Sequence, residues 1–357
     1  MITNRSMDRV RRPVKAEMVK LYYPQEQDWS YSHHASVCRF GNRIYAMWSN
    51  GKVHEDAPGQ RVLYTFSEDG KNWKEPLTLM EPSTEDGVLT AAGFHVHGDI
   101  LTAYAGFFQK YLYPDNDRER KNTTLLCATT KDGENWSEPV DLHLPIVPNH
   151  GPQAIRGGRL IISGNIMFPY TDDPDGVTGW KLSGTAPFPW EPLYDDSEGF
   201  VLRAEKYGTP WVCEGSFFQT GDGVLHMLQR SRERILYVSE SHDNGETWSR
   251  SVKTDMTDCG SKFHCGRLPD GRYYIVSSPD AASPRCPLIL TTSRDGQDFD
   301  KEYIIDDRYV ARRIEGRSKG GIYGYPHTMV DGEKMYVICS VNKEDINLYT
   351  IRLEDLV

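Results

Sequence analysis

The chain has 357 residues and a formal net charge of −10, from 41 Lys and Arg against 51 Asp and Glu. Hydrophobic residues make up 38% and aromatics 11%, enough for a large core, which excludes disorder as the main state. No run of about 18 apolar residues offers a membrane-spanning helix, and the acidic balance argues against a general nucleic-acid binder, which shows a basic patch or stripe.

The chain opens MITNRSMDRVRRPVK, without the apolar stretch of a secretory signal, so a cytoplasmic location is expected. Seven dispersed cysteines with no CxxC pair read as reduced thiols. Six strand-turn-strand units then follow in order. They are residues 36–48 (SVCRFGNRIYAMW), 93–106 (GFHVHGDILTAYAG), 153–165 (QAIRGGRLIISGN), 216–228 (SFFQTGDGVLHML), 265–277 (CGRLPDGRYYIVS) and 328–340 (TMVDGEKMYVICS). Each is followed by a third β-rich run, and four such runs end in a shared motif. It reads SEDGKNW at 67–73, TKDGENW at 130–136, SHDNGETW at 241–248 and SRDGQDF at 293–299. In this motif Asp accepts backbone N–H groups, Gly supplies positive φ and the aromatic packs back on the sheet, so its role is a turn, not chemistry. The gap between the second and third copies is about twice the others, so one copy has decayed; its remnant is expected within 176–190, with Trp190 as the aromatic.

Length alone suggests about two domains of ordinary size. Regular short strands with radial repetition point instead to one all-β domain over residues 1–357, a six-bladed β-propeller of four-stranded antiparallel blades. The sixth unit ends at 346–353 (INLYTIRL) before a fourth strand, which residues 18–24 are expected to supply, closing the ring and removing two exposed sheet edges.

The repeated motifs resemble the Asp-boxes, or BNR repeats, of the sialidase-like superfamily, and the resemblance covers nearly the whole chain. It implies a catalytic face at the starts of the innermost strands and on the loops joining second and third strands, with the boxes on the opposite face. Aligning the hairpins on their turns places His34, His150 and Glu214 at one equivalent position. Thr90 and His95 come from the second unit, Lys262 and His264 from the fifth, and Tyr325 and His327 from the sixth. By resemblance, Glu214 matches the family's glutamate, Arg230 the arginine after it, and Tyr325 the nucleophilic tyrosine. The Arg-Ile-Pro element of the first inner strand is replaced by Ser32-His33-His34-Ala35. The chain is thus a divergent member without the full arginine triad, which argues against sialic acid as substrate. For the family's acidic loop residue, Asp56 and Asp86 are both candidates.

A carboxylate beside a tyrosine can take the phenol proton and make it a usable nucleophile. The first expectation is therefore an exo-acting glycoside hydrolase on an acidic or otherwise non-sialic sugar. Its catalytic residues are Glu214, Tyr325, His34 and His150; its substrate-binding residues are Arg230, Arg232, His264, His327, His95, Lys262 and Arg61. The second is a lyase that abstracts the proton beside a uronate carboxylate with His or Tyr, while Arg230, Arg232, Arg61 or Lys262 neutralises that carboxylate. The third is a non-catalytic glycan-binding propeller. The partner in each case is an oligo- or polysaccharide, with neither nucleic acid nor membrane. The loops at 48–60, 109–115 and 168–173 mix aromatics with short polar residues, which suits a sugar ring. No close-spaced metal-ligand motif such as HExxH and no P-loop is present. No cofactor is expected, and a metal would need His and Glu to converge across units on the propeller axis.

Overall fold

The computed structural model describes residues 2, 10–110, 120–164, 167–185 and 212–356. Among these the chain is all-β apart from one 3-10 turn, Leu353–Asp355, and no helix is long and apolar enough to cross a membrane. The first sheet takes Tyr31–Phe40, Arg43–Gly51, Arg61–Ser67 and Leu77–Met80 in sequence order, every pair antiparallel. The second repeats this with Gly87–His97, Ile100–Gln109, Lys121–Thr130 and Val140–Asp141. The third is short: Gln153–Ala154, Leu160–Ile161 and Tyr170–Thr171, extended by single bridges from Pro148 to Gly164 and from Tyr170 to Lys181. The fourth runs Val212–Gln219, Leu225–Ser231, Ile235–Ser241 and Val252–Thr257. The fifth runs His264–Arg267, Tyr273–Ser277, Leu288–Ser293 and Lys301–Asp306, with Arg11–Pro13 added in parallel at its edge. In the sixth, Tyr323–Asp331, Lys334–Val341 and Asp345–Arg352 are followed at the edge by Ala16–Tyr22, from the other end of the chain.

Second strands such as Arg43–Gly51 and Lys334–Val341 are buried along almost their whole length. Their sequences are therefore nearly continuous apolar runs, because both faces meet a neighbouring sheet. The core is accordingly not one body but a series of wedges between consecutive sheets. One wedge joins sheets one and two through Tyr45, Met47, Leu89 and Leu101. Another joins five and six through Leu288, Leu290, Met335 and Val337. A further wedge brings Ile338 and Leu348 of the sixth sheet against Ala46 and Trp48 of the first. All seven cysteines are free thiols.

The repeated motifs fold as the turns their chemistry requires. In the first, Asp69 Oδ1 accepts the N–H groups of Lys71 and Asn72 at 2.8 and 2.7 Å, Ser67 Oγ accepts from Gly70 N at 2.9 Å, and Trp73 Nε1 donates to Gly70 O at 3.1 Å. These donors hold the Asp69 carboxyl well below its usual range. Asp132, Asp243 and Asp295 accept the matching N–H groups. The decayed copy is earlier than the sequence suggested. Asp173 Oδ2 accepts from Val177 N and Thr178 N at 3.1 and 2.8 Å, and Trp180 Nε1 donates to Gly176 O at 2.9 Å. Trp180 is therefore the aromatic of this turn; Trp190 lies outside the described residues.

Candidate functional site

Four innermost strands break register near the same level: between His33 and Ser36, Ala91 and Gly93, Val212 and Gly215, and Gly324 and His327. A bulge leaves residues unpaired and re-aims their side chains. Here the bulged residues include His34, Glu214 and Tyr325, and these three meet. The Tyr325 hydroxyl donates a short hydrogen bond to Glu214 Oε1. Arg230 Nη1 donates to both Glu214 oxygens at 3.0 and 2.7 Å and to the Tyr325 oxygen at 3.3 Å. The His34 ring lies 5.2 Å from the Tyr325 ring, and His33 lies 4.0 Å from it. Gly324 makes that stacking feasible, since a Cβ there would come within 2.8 Å of His33 Cε1.

Backbone strain concentrates at this place. His34, Asp56, Arg285 and Tyr325 all have φ between 52° and 62°, a region costly for large side chains. Arg285 was not anticipated from the sequence. Its guanidinium lies 5.4 Å from the Tyr325 ring centroid, and its Nη1 is buried without a partner. Lys262, only 2% exposed, faces the same ring at 5.1 Å and donates to Asn149 O at 2.5 Å. His33, Glu55 and Lys343 were missed as well: Lys343 donates to Glu55 at 2.6 Å, and Glu55 lies beside His33 and His34. Of the two acidic loop candidates, Asp56 reaches the site, where it acts electrostatically on His34 and pairs with Arg120 at 2.7 Å. Asp86 accepts from Gln109 instead.

The electrostatics are those of a desolvated, cation-rich cluster. Burial alone would raise the Glu214 carboxyl, but Arg230 and the Tyr325 hydrogen bond outweigh it and hold it down to about 2. Burial and the Glu214 charge push the Tyr325 phenol well above 10. Burial, reinforced by Lys262, lowers His34 to about 3, so this ring is neutral at ordinary pH. Burial also lowers the Lys262 ammonium to about 7, despite the opposing pull of Glu214. For Asp56, burial would raise the carboxyl but Arg120 prevails and it stays ionised. The tautomers follow from the partners. Ser340 Oγ donates to Gly324 O, so it accepts Nδ1–H of His33 at 2.6 Å and leaves the buried Nε2 as an unpartnered lone pair. Ser49 Oγ accepts from Ala91 N, and its own hydrogen can turn to Nδ1 of His34 at 3.1 Å, leaving Nε2–H to face the site.

The other expected residues divide into two groups. His150, His264 and His327 gather into a second cluster, with ring centroids 4.3 to 5.6 Å apart. Lys262, bonded to the carbonyl of Asn149 beside His150, links the two clusters. His95 does not join either. It sits near the turn end of Gly87–His97, bonded to Pro174 O in the decayed motif, and the bulge of that strand carries only Ala92. Arg61 packs over the Trp29 ring at 3.7 Å and donates to Asn50. Arg232 lies just beyond the strand Leu225–Ser231. The loop at 168–173 is not part of the face: Phe168 is buried in the core and Asp173 makes the motif turn. Residues 111–115 of the second loop lie outside the described residues.

Fold and repeats together define a member of the sialidase-like superfamily. The chain matches the BNR repeat-like domain family over residues 42–337 and belongs to that family. Among solved structures, a sialidase superposes with a TM-score of 0.65 at 17% identity, covering 96% of this chain and 33% of its own. Trypanosoma rangeli sialidase in complex with sialic acid gives 0.68 at 16% identity, covering 97% of this chain and 60% of its own. A protein of unknown function from Dyadobacter fermentans gives 0.68 at 16% identity, with 94% and 99% covered. The chain thus spans a third and 60% of those two sialidases. At such identities the likeness is one of fold. No curated protein sequence matches the chain.

Proposed function

We propose that the chain is a single domain in which six sheets close into one β-propeller, with Ala16–Tyr22 completing the last blade. We further propose that it is an exo-acting glycoside hydrolase on an acidic or otherwise non-sialic sugar. The wedge between the sixth and first sheets supports closure. One observation carries the reaction: the buried Tyr325 hydroxyl bonded to Glu214, with Arg230 on both groups. Glu214 takes the phenol proton as Tyr325 Oη attacks the anomeric carbon, and the cations around the ring stabilise the phenolate as it forms. The leaving-group oxygen takes a proton from a water molecule, the hydroxide so formed attacks the anomeric carbon and releases the sugar, and the tyrosine recovers its proton from Glu214, so that one water is consumed in all. Asp56, ionised against Arg120, is a weak proton donor, whereas neutral His34 presents Nε2–H as a hydrogen-bond donor beside the tyrosine. That is the role of an electrophile, not of an imidazolium acid. Arg285, with its unpartnered Nη1, supplies a group for an anionic substituent.

The test is a panel of aryl glycosides and acidic oligosaccharides, with Tyr325→Phe and Glu214→Gln as variants. A loss of about 10³-fold or more in kcat is expected for Tyr325→Phe. Unchanged turnover would overturn the assignment. A second reading rests on the lone pair of His33 Nε2 beside Tyr325 and the surrounding cations: a uronate lyase. Its product absorbs in the near ultraviolet, and hydrolysis products without that absorbance reject it.

A further inference from the structure

The second cluster is not used by the chemistry above. His150, His264 and His327 come from three separate segments, and one nitrogen from each lies within 4.8 Å of the others. In every ring the other nitrogen is anchored. His150 Nε2 donates to Phe263 O at 2.8 Å, His264 Nδ1 bonds Thr328 Oγ1 at 2.6 Å, and His327 Nδ1 faces the Val37 N–H at 3.3 Å. Thr328 is itself fixed by Tyr274 at 2.7 Å. This leaves Nδ1 of His150 and Nε2 of His264 and His327 to meet. His150 is 5% exposed, and its Nδ1 is buried with no hydrogen-bond partner. A buried lone pair without a partner is costly, so something with an affinity for imidazole belongs there.

We propose that His150, His264 and His327 bind a borderline divalent transition metal such as zinc, through Nδ1 of the first and Nε2 of the other two. Three imidazoles with an open fourth position are a donor set of this class, and seating a metal about 2.1 Å from each nitrogen would draw the three nitrogens well inside the 4.8 Å within which they now lie. The Phe263 carbonyl and Thr328 hydroxyl are the outer partners that such ligands use to fix their tautomers. The Val37 amide is the one anchor of the wrong sense. A metal on Nε2 keeps the His327 proton on Nδ1, so this long hydrogen bond must give way on loading. The neighbouring set of His33, His34 and Glu55 is the poorer site, because its carboxylate is already engaged by the Lys343 ammonium at 2.6 Å.

Metal uptake is independent of the glycosidase reading, so either can fail alone. The full chain is stripped with chelator and titrated with Zn(II) by calorimetry, then with Co(II) followed by its visible d–d bands. One equivalent is expected, with Co(II) bands of a nitrogen-rich site and a shifted Val37 amide resonance. His264→Gln and His327→Gln should each weaken binding at least tenfold, and Thr328→Ala roughly 10- to 100-fold. His95→Ala should bind as wild type, and circular dichroism checks that each variant is folded. No stoichiometric uptake by the folded chain, or uptake insensitive to His264→Gln and His327→Gln, overturns the site. Uptake abolished by Glu55→Gln in their place moves the ion to the other cluster and overturns it equally.

Discussion

Lys262 shows how one residue couples the site to stability. Its ammonium titrates near 7 in the folded chain, against 10.5 when free, because burial disfavours the charge. Between those values the unfolded chain holds the extra proton, so this group makes stability rise with pH across the window and imposes its full penalty below about 7. Lys262→Met should therefore stabilise the protein at pH 6 by on the order of 1–3 kcal/mol, with the gain shrinking towards pH 10. Urea unfolding at both pH values checks this, and a pH-independent difference would refute it. The histidines act in the same direction at lower pH. Burial lowers His33, His34, His150, His264 and His327 below their usual value, so stability should fall as pH drops from about 6.5 towards 3. Thermal melts between pH 8 and pH 4 should show the fall, and His264→Asn should flatten it. At the substrate end, Arg285→Met should lower kcat/KM on acidic sugars about 10- to 100-fold and leave neutral ones little changed. Equal losses on both would remove the anion role. Sequence reasoning reached His34, Glu214 and Tyr325 because each precedes its turn glycine, Gly41, Gly221 or Gly332, by the same number of residues. It missed Arg285 and left Asp56 unassigned, because both stand on loops of irregular length with no strand period to place them.

At the level of elements, the legible parts are those whose chemistry is local. The Asp turns need only a carboxylate, a glycine and an aromatic within a few residues, so four of them stand out in the sequence. The fifth was misplaced because Pro174 and Asp175 separate Asp173 from Gly176 and disguise the pattern. His95 was misjudged for a related reason: it is too close to its hairpin turn to share the bulge level of the other inner strands. Turn glycines also differ in what surrounds them. Gly133 has φ of 76°, and a Cβ there would collide with the Tyr45 phenol, which packs beneath the turn. Gly41 has φ of 57° with open space around it. Gly133→Ala should cost about 2–4 kcal/mol, from strain plus overpacking, and Gly41→Ala only about 1 kcal/mol from backbone strain. Equal costs in chemical denaturation would show that backbone conformation alone decides, and that the Tyr45 contact contributes nothing.

For the whole molecule, the repeat offers a reading that length alone does not. Units of similar size, each burying its faces only against neighbours, read as one array where length alone suggested two domains. What local patterns cannot establish is closure, because the decisive contacts join residues more than 300 positions apart, as in Val19 opposite Leu348. If the ring is closed, Ala16–Tyr22 is its clasp. It covers the edge of Asp345–Arg352, and Leu21 packs with Ile346 and Leu348 against Ala46 and Trp48 of the first sheet. Removing residues 1–23 would expose that edge and open the wedge between the first and last sheets, so the loss should be global rather than a frayed terminus. The truncated chain is expected to melt far below the full one or to aggregate. Adding residues 10–24 as a separate peptide should restore part of the loss, because the missing strand would then pair in trans. An unchanged melting temperature after truncation would mean that the six sheets hold without their clasp, and the proposed closure by Ala16–Tyr22 would be wrong.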